Sequence, residues 1–384
     1  MYKFLKIIIL IIFLLFNNQN SSIAESDKIK IGLLVPLTGD DKNIGQQIVK
    51  ATRMALKDIN ENNLEIYLKD TNSNPDQTFR SALEFQKMGI KIVIGPIFFK
   101  SLSQLEEIQE ITFLSFTNRT LKLPVNVISA GVNASSQLNT IKNFLKLNDL
   151  NRTILLTPKL DYEDEIKTAI KKTEIKIIKH HIYDTEPTKL TAQIEKITNY
   201  KERKKNLEKE IQRIENSDLI DKEKQLEKLS KKYTIGNVNF DSVIISDFDE
   251  SLKSVITSLI YSDVSPENKY IITFNQWFDE SLLNEKTIQP LFYPSINRKN
   301  LKSFEKKFVN EFSEYPNYLS LLSYDLVGLI YYLSFKDGIE NPKNLFKKKS
   351  SFKGKIGVFN VRDNKINHKL NFYQIARGEI REIF

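Results

Sequence analysis

Polar and aromatic side chains follow the ends of several short apolar runs, and they are the residues with which this chain could do chemistry. Near the start of the chain they are Thr38, Phe99, Ser101, Thr117, Asn118 and Arg119, and further along they are Tyr162, Asp247 and Trp277. Hydroxyls, an amide and a carboxylate can hold a small polar ligand by hydrogen bonds, and Arg119 or a helix N-terminus can hold an anionic group. We therefore predict a ligand-binding site made of these residues.

The usual signatures of catalysis are missing from the sequence. It has no GxSxG nucleophile motif, and no GxxxxGK[ST] or GxGxxG loop follows a predicted strand. The histidines are His180, His181 and His368, and the adjacent pair would point to opposite faces of a strand instead of sharing one metal ion. We predict no catalytic residue, no metal site and no cofactor, and hence a protein that is not an enzyme.

The elements that would position the predicted ligand residues begin with residues 29–60. Residues 29–35 are an apolar run typical of a buried parallel strand, and the run ends at Pro36 and a turn at residues 38–40. Beyond Asn43, which we predict as the N-cap, apolar residues recur three and four apart, as in an amphipathic helix. Short apolar runs and helical patterns then alternate as far as residue 274, which predicts two successive, mostly parallel α/β sheets.

Two such sheets imply two lobes with a cleft between them. The chain would first cross between the lobes at residues 131–133. The carboxyl ends of parallel strands face one edge of a sheet, so the predicted ligand residues would line the cleft. Further along, residues 319–335 are apolar on nearly every face and predict a helix buried against the first sheet, and residues 354–383 predict a strand followed by an antiparallel pair.

Residues 190–234 interrupt this alternation. Helical spacing continues well beyond one crossover helix, and residues 216–218 then offer a turn. Of the 32 residues from 201 to 232, 11 are positive and 8 negative, and the apolar positions keep to one stripe. This predicts a charged, antiparallel helical hairpin inserted in the second lobe, which is either a solvated decoration or a docking arm for another protein.

The N-terminus and the composition indicate the compartment. Lys3 and Lys6 precede an apolar run at residues 7–16, and small residues precede a predicted cleavage after Ala24. This pattern predicts a cleavable signal peptide at residues 1–24 and export to the periplasm, with no transmembrane segment in the mature chain. The chain has no cysteine and a net charge of +9 carried by scattered lysines, which excludes disulfides and does not favour nucleic acid as a partner.

Four segments resemble the type I periplasmic solute-binding fold of the leucine/isoleucine/valine-binding proteins. They are IGLLVPLTGDDKNIGQQIVKATRMALKDIN at residues 31–60, IVIGP at 92–96, LSFTN at 114–118 and SYDLVGLIYYL at 323–333. Within that superfamily the chain is most similar to the penicillin-binding-protein activators. This second likeness rests on LSFTNRT at 114–120, the insert opening ITNYKERKKNLEKE at 197, FNQWFDESLL at 274–283 and the closing segment 352–380.

The resemblance implies an α/β, two-lobe fold in which each lobe is a mostly parallel sheet flanked by helices. The first lobe would hold residues 28–131 and 294–349, and the second residues 132–293 and 350–384. The resemblance also implies a non-enzymatic protein that binds a small polar ligand, amino-acid-like or a cell-wall fragment, and serves a membrane transporter of the ABC type. The alternative is a regulator of a peptidoglycan synthase with a vestigial cleft, because Phe98 and Phe99 stand where amino-acid binders carry small hydroxyl residues.

Overall fold

The computed structural model describes residues 28–61, 63–275, 280–337 and 342–384. The predicted signal peptide and the predicted ligand residue Trp277 lie outside these ranges. The strands are β1 (Ile29–Val35), β2 (Leu64–Asp70), β3 (Ile92–Ile94), β4 (Thr112–Ser115), β5 (Val127–Ser129), β6 (Thr153–Pro158), β7 (Lys179–Tyr183), β8 (Ser242–Ile245), β9 (Tyr270–Thr273), β10 (Leu291–Ser295), β11 (Ser350–Lys353), β12 (Val358–Arg362), β13 (Lys365–Lys369), β14 (Asn371–Ala376) and β15 (Glu379–Glu382).

The helices alternate with these strands in the first three quarters of the chain. They are α1 (Lys42–Ile59), α2 (Pro75–Lys87), α3 (Ala134–Leu147), α4 (Glu163–Thr173), α5 (Pro187–Ile197), α6 (Tyr200–Glu215), α7 (Lys222–Ser230), α8 (Asp249–Tyr261), α9 (Arg298–Phe312), α10 (Tyr318–Asp337) and α11 (Pro342–Leu345). Short 3-10 turns follow β3 and β9.

Two sheets form the framework. The first has the order β2-β1-β3-β4-β5, and all of its pairs are parallel. The second has the order β15-β14-β10-β9-β8-β6-β7, parallel from β10 to β7, with β14 and β15 added antiparallel at the other edge. The predicted α/β class with mostly parallel sheets flanked by helices is confirmed. The assignment of residue ranges to two lobes stays a prediction.

Helix α1 forms as the sequence predicts but begins earlier. Its buried residues, Ile48, Ala51, Met54 and Ala55, recur at helical spacing and cover the first sheet. The prediction that Asn43 is the N-cap is wrong, because the helix begins at Lys42 after Asp41. The Asp41 carboxylate does not cap the helix and instead accepts a hydrogen bond from the Ser73 hydroxyl at 2.6 Å.

Helix α10 packs along α1 and is buried, as its all-round apolar sequence predicts. The hydroxyls of Thr52 on α1 and Ser323 on α10 meet at 2.8 Å inside this interface. Within the described ranges, residues 318–336 are the one helical stretch long and apolar enough to cross a membrane, and 61% of that stretch is buried inside the protein. That degree of burial is typical of a core helix in a water-soluble fold.

The final strands differ from the prediction of one strand and an antiparallel pair. Residues 354–383 hold four strands, β12 to β15, and β11 precedes them. Asp363 and Asn364 both take positive φ, which makes a tight hairpin turn between β12 and β13. Strands β11, β12 and β13 form a separate antiparallel sheet. This small sheet is fixed to α10 through Asp325, whose carboxylate accepts hydrogen bonds from the backbone N–H groups of Lys355 and Ile356, both at 2.7 Å.

The charged insertion forms the predicted helical hairpin, α6 and α7. The helical pattern is not continuous from residue 190, because Asn199 takes a positive φ and separates α5 from α6. Helix α5 packs against α8 as a crossover helix of the second sheet. The projecting part is therefore α6 and α7 alone.

Candidate functional site

Arg119 is the centre of the candidate site. It lies in the loop that follows β4 of the first sheet, with its guanidinium carbon 4.6 Å from the centroid of the Phe99 ring. A cation over an aromatic face is attracted by the negative face of the ring. The same guanidinium forms an ion pair with Asp161, which follows β6 of the second sheet. The structure thus brings Phe99 and Arg119 together, as predicted ligand residues, and joins them to the loop that follows β6 of the second sheet.

A second set of bonds joins the loop after β4 of the first sheet to the helix after β6 of the second sheet, beside this ion pair. The Oε1 atom of Glu165, in the first turn of α4, accepts hydrogen bonds from the backbone N–H groups of Thr120 at 2.8 Å and Leu121 at 2.7 Å. Its Oε2 atom accepts one from the Thr120 hydroxyl at 2.8 Å. Hydrogen bonds to a charged carboxylate are roughly twice as strong as neutral ones. We call the Arg119–Asp161 pair and the bonds of Glu165 to Thr120 and Leu121 the interlobe latch.

The contacts of the latch do not follow from the sequence. Asp161 and Glu165 are ordinary acidic residues at the start of a helix, where carboxylates are favoured in any protein. Thr120 lies one residue beyond the predicted set, in the motif LSFTNRT. The usable signal is that this loop and the start of α4 both follow the carboxyl ends of parallel strands, which the switch-point rule places at the cleft.

Thr38 lies apart from the latch, at the end of β1, and it is exposed. Its hydroxyl donates a hydrogen bond to Asp70 Oδ2 at 2.6 Å, and the N–H of Leu37 donates to Asp70 Oδ1 at 2.7 Å. Burial alone would raise the pKa of Asp70, but these hydrogen bonds lower it below its usual value. Thr38 is therefore held by an ionised carboxylate of its own sheet.

The hydroxyls of Ser101 and Thr117 belong to buried residues, 3% and 7% exposed. Thr117 Oγ1 accepts a hydrogen bond from the backbone N–H of Arg119 at 3.2 Å, which shapes the loop that carries the guanidinium. The Thr117 carbonyl accepts one from the Ser129 hydroxyl at 2.7 Å. Asn118, which lies between Thr117 and Arg119 in the sequence, is exposed. Of these three predicted residues, Asn118 alone presents its side chain to solvent.

Tyr162 and Asp247 are brought close together at the ends of β6 and β8. The Tyr162 hydroxyl donates to the backbone carbonyl of Ser246 at 3.1 Å. The Asp247 carboxylate is buried and accepts hydrogen bonds from the hydroxyls of Tyr183 and Ser251 and from the N–H of Phe248 at 2.9 Å. Burial, together with the charge of Asp247, raises the pKa of Tyr183 and Tyr162, so both phenols stay protonated. This network ties the second sheet together internally.

Five of the predicted residues fall into three groups, and Ser101, Thr117 and Asn118 belong to none of them. Phe99 and Arg119 join the latch, Tyr162 and Asp247 join a network in the second sheet, and Thr38 is bonded to Asp70. No group of three or more His, Cys, Asp or Glu side chains positioned for a metal ion occurs within the described residues. The role of the predicted residues in ligand binding stays a prediction.

Comparison with known proteins identifies the fold. Residues 28–201 match the sequence model of the periplasmic binding protein family. The chain has the fold of the type I periplasmic binding proteins. The resemblance inferred from the strand-end motifs is confirmed, and no curated protein sequence matches the chain.

Three solved structures illustrate the range of this fold. A putative branched-chain amino acid ABC transporter protein from Rhodospirillum rubrum aligns with a TM-score of 0.69 at 12% identity, covering 93% of this chain and 100% of the other. The leucine-binding protein LivK from Thermotoga maritima aligns with a TM-score of 0.56 at 13% identity, covering 93% and 98%. The C-domain of LpoA from Haemophilus influenzae, a regulator of PBP1A, aligns with a TM-score of 0.60 at 15% identity, covering 92% and 100%. Solved structures with this fold therefore include both a leucine-binding protein and a regulator of PBP1A.

Proposed function

We propose that this protein is an exported, non-enzymatic regulator that acts through protein contacts on a peptidoglycan synthase, with its two lobes joined by the interlobe latch. The observation that carries the proposal is the Glu165 carboxylate, whose two oxygen atoms take three hydrogen bonds from Thr120 and Leu121 across the cleft. A binding protein that signals through hinge closure needs lobes that separate and close around a ligand. Direct bonds between the lobes favour a fixed surface instead.

The positions of the predicted ligand residues support the same function. The carboxylate of Asp247 and the hydroxyl of Thr38 are bonded to other protein groups, and Ser101 is buried. A ligand could enter only by breaking these bonds. Each buried polar group that lost its partner would then cost free energy, because it would be removed from water without a hydrogen bond. The similarity in fold to the C-domain of LpoA supports a synthase as the class of partner.

The projecting hairpin is the surface on which we expect the synthase to dock. Ile220 and Leu219, at its tip between α6 and α7, are 107% and 42% exposed. Exposed apolar residues on a charged arm are a common feature of protein interfaces, where they are buried by the partner.

A second function, solute capture for a membrane transporter, is favoured by the position of Arg119. The side chain of its partner Asp161 is 71% exposed, so the ion pair is accessible to water. An anionic ligand such as an amino acid carboxylate could replace Asp161 and take the guanidinium, which suits planar carboxylates. Amino-acid transport would then require the latch to open.

The two functions are distinguished by breaking the latch. We expect the double variant Asp161→Ala with Glu165→Ala to separate the lobes and to weaken binding to the peptidoglycan synthase of the same organism. Because the chain has no cysteine, the variants Lys87→Cys and Lys171→Cys provide a unique pair of labelling sites for an interlobe distance measurement. The matched control is Glu163→Ala, because Glu163 pairs with Lys167 within the same helix.

The same preparations test the alternative. If leucine, glutamate or muropeptides stabilise the native protein against heat in a saturable way, and the synthase is not captured, the regulator function is wrong. The regulator function is supported if the native protein binds the synthase and is not stabilised by these ligands.

A further inference from the structure

A cavity of about 690 Å³ lies beside the latch, and none of the predicted ligand residues lines it. Its walls come from five places in the chain: the loop after β4, strand β5, the start of α3, the end of α4 and the hairpin of β12 and β13. Small-molecule sites in proteins typically have volumes of about 300 to 1,000 Å³. This cavity is therefore large enough for a ligand of small-molecule size.

The floor of the cavity is uncharged. The buried residues that line it are hydroxyl, amide or apolar residues: Pro124, Val127, Ser129, Asn133, Ser135, Thr173 and Ile366. The charged residues, Lys172, Asp363 and Lys365, are all exposed and stand at the rim. A charged ligand buried on this floor would lose its hydration without gaining a partner of opposite charge. The floor therefore favours a neutral ligand.

Asparagine amides surround the opening. The side chains of Asn139 and Asn364 line the cavity and make no hydrogen bond with any described residue. Asn133 is different, because its amide is used to cap α3 and to hold Ile366 at 3.0 Å. Each primary amide offers two donors and an acceptor, which matches the paired donor and acceptor character of neighbouring hydroxyl groups on a ligand.

Apolar residues form another part of the cavity wall. They are Leu123, Pro124 and exposed Val125. A smaller cavity of about 210 Å³ shares Val125 and Asn364 with the first and is also lined by Asn126. The buried Oδ1 atom of Asn126 accepts no hydrogen bond from the described part of the chain. An acceptor without a donor at such a place is costly unless a ligand or water satisfies it.

We propose that this cavity binds a neutral saccharide. Ring hydroxyls would pair with the amides of Asn139 and Asn364, and the C–H face of the ring would pack on Val125 and its neighbours. Thr120 lines the same cavity and bonds to Glu165 of the latch, so a bound sugar touches the loop that joins the lobes. The site is independent of the regulator function, because neither the hairpin tip nor a synthase takes part in it.

The test is calorimetric titration of the full mature chain with cellobiose and with N,N′-diacetylchitobiose at millimolar concentration. We expect saturable binding of at least one of the two sugars, and no tighter binding of glucose 6-phosphate. The variants are Asn139→Ala, on the surface of α3, and Asn364→Gly, which removes the amide and keeps the positive φ that glycine tolerates. Loss of two neutral hydrogen bonds should weaken binding by about tenfold or more in the double variant.

Asn310→Ala is the matched control, because Asn310 is an exposed amide on α9 that does not line the cavity. The proposal is overturned if neither sugar binds, if the double variant binds as tightly as the native chain, or if glucose 6-phosphate binds more tightly than the neutral sugars. A failure here leaves the synthase capture experiment unaffected, so the two proposals can fail separately.

Discussion

Gly45 shows how one residue fixes the first βα unit. It lies in the first turn of α1, and a Cβ atom at this position would stand 1.7 Å from the carbonyl oxygen of Pro36. No L side chain can take that position without moving α1 away from the end of β1. The sequence motif contains this glycine, but its close approach to Pro36 is a tertiary contact that residue spacing does not reveal.

We expect Gly45→Ala to destabilise the protein by about 3 kcal/mol or more, at the upper end of the usual cost of overpacking. The free energy of unfolding measured with urea checks this, with Gln46→Ala on the exposed side of the same turn as the control. Equal stability of the two variants would contradict the close packing of α1 on Pro36.

Two buried ionisable residues predict the dependence of stability on pH. The Nε2–H group of His368 donates a hydrogen bond to the carbonyl of Ala130 at 2.9 Å. Burial lowers the pKa of His368 to about 4. Burial raises the pKa of Asp325 to about 7, even though two backbone N–H groups oppose the shift. The two residues act in opposite directions between pH 4 and pH 6.5.

The signs follow from proton linkage. As the pH falls from 6.5 to 4, the unfolded chain protonates His368 and the folded chain does not, so stability is lost. Over nearly the same range the folded chain protonates Asp325 and the unfolded chain does not, so stability is gained as the pH falls from 7 towards 4. The variant His368→Gln loses the histidine contribution and keeps the gain from protonation of Asp325. We therefore expect its melting temperature to rise on acidification more than that of the native protein. The same dependence of melting temperature on pH in both proteins would refute this expectation.

At the level of elements, Arg203 holds the hairpin to the segment after α7 and to the residues that follow α8. This buried side chain on α6 donates hydrogen bonds to the carbonyls of Gly236 at 3.1 Å and Ser262 at 3.0 Å, and to the Thr234 hydroxyl at 2.7 Å. It also pairs with Asp263 at 3.3 Å. The arm therefore projects from a fixed base.

Arg203→Ala should loosen α6 and α7 while leaving both sheets folded. We expect faster hydrogen exchange confined to residues 200–235, because four acceptors at the base lose their donor. Arg213→Ala is the control, since Arg213 is exposed and pairs only with Glu210 on its own helix among the described residues. Unchanged exchange in the Arg203 variant would show that the base is held by other contacts.

Sequence patterns predict the elements better than their contacts. The alternation of strands and helices, the buried α10 and the charged hairpin all follow from apolar periodicity, which is a local property. The count of final strands is missed because it depends on the turn at Asp363 and Asn364. The partners of Arg119 and Thr120 are missed because Asp161 and Glu165 lie more than 40 residues away and come close only in the folded chain.

At the scale of the whole molecule, the fold is shared with proteins that have only 10–16% identical residues. Such a fold tolerates wide substitution because it needs apolar periodicity, and the strand-end loops are free to vary. This is why the family could be inferred from the sequence and the occupant of the cleft could not. The latch and the cavity proposed to bind a saccharide both use loop residues.

The order of synthesis has a consequence for how this molecule matures. All five strands of the first sheet lie between Ile29 and Ser129, but the helix that covers α1 is residues 318–337, nearly two hundred residues later. A chain that emerges from its N-terminus cannot finish its first core until almost all of it has been made. We expect such a chain to stay loosely folded through most of its synthesis, which suits the predicted export through a channel for unfolded chains.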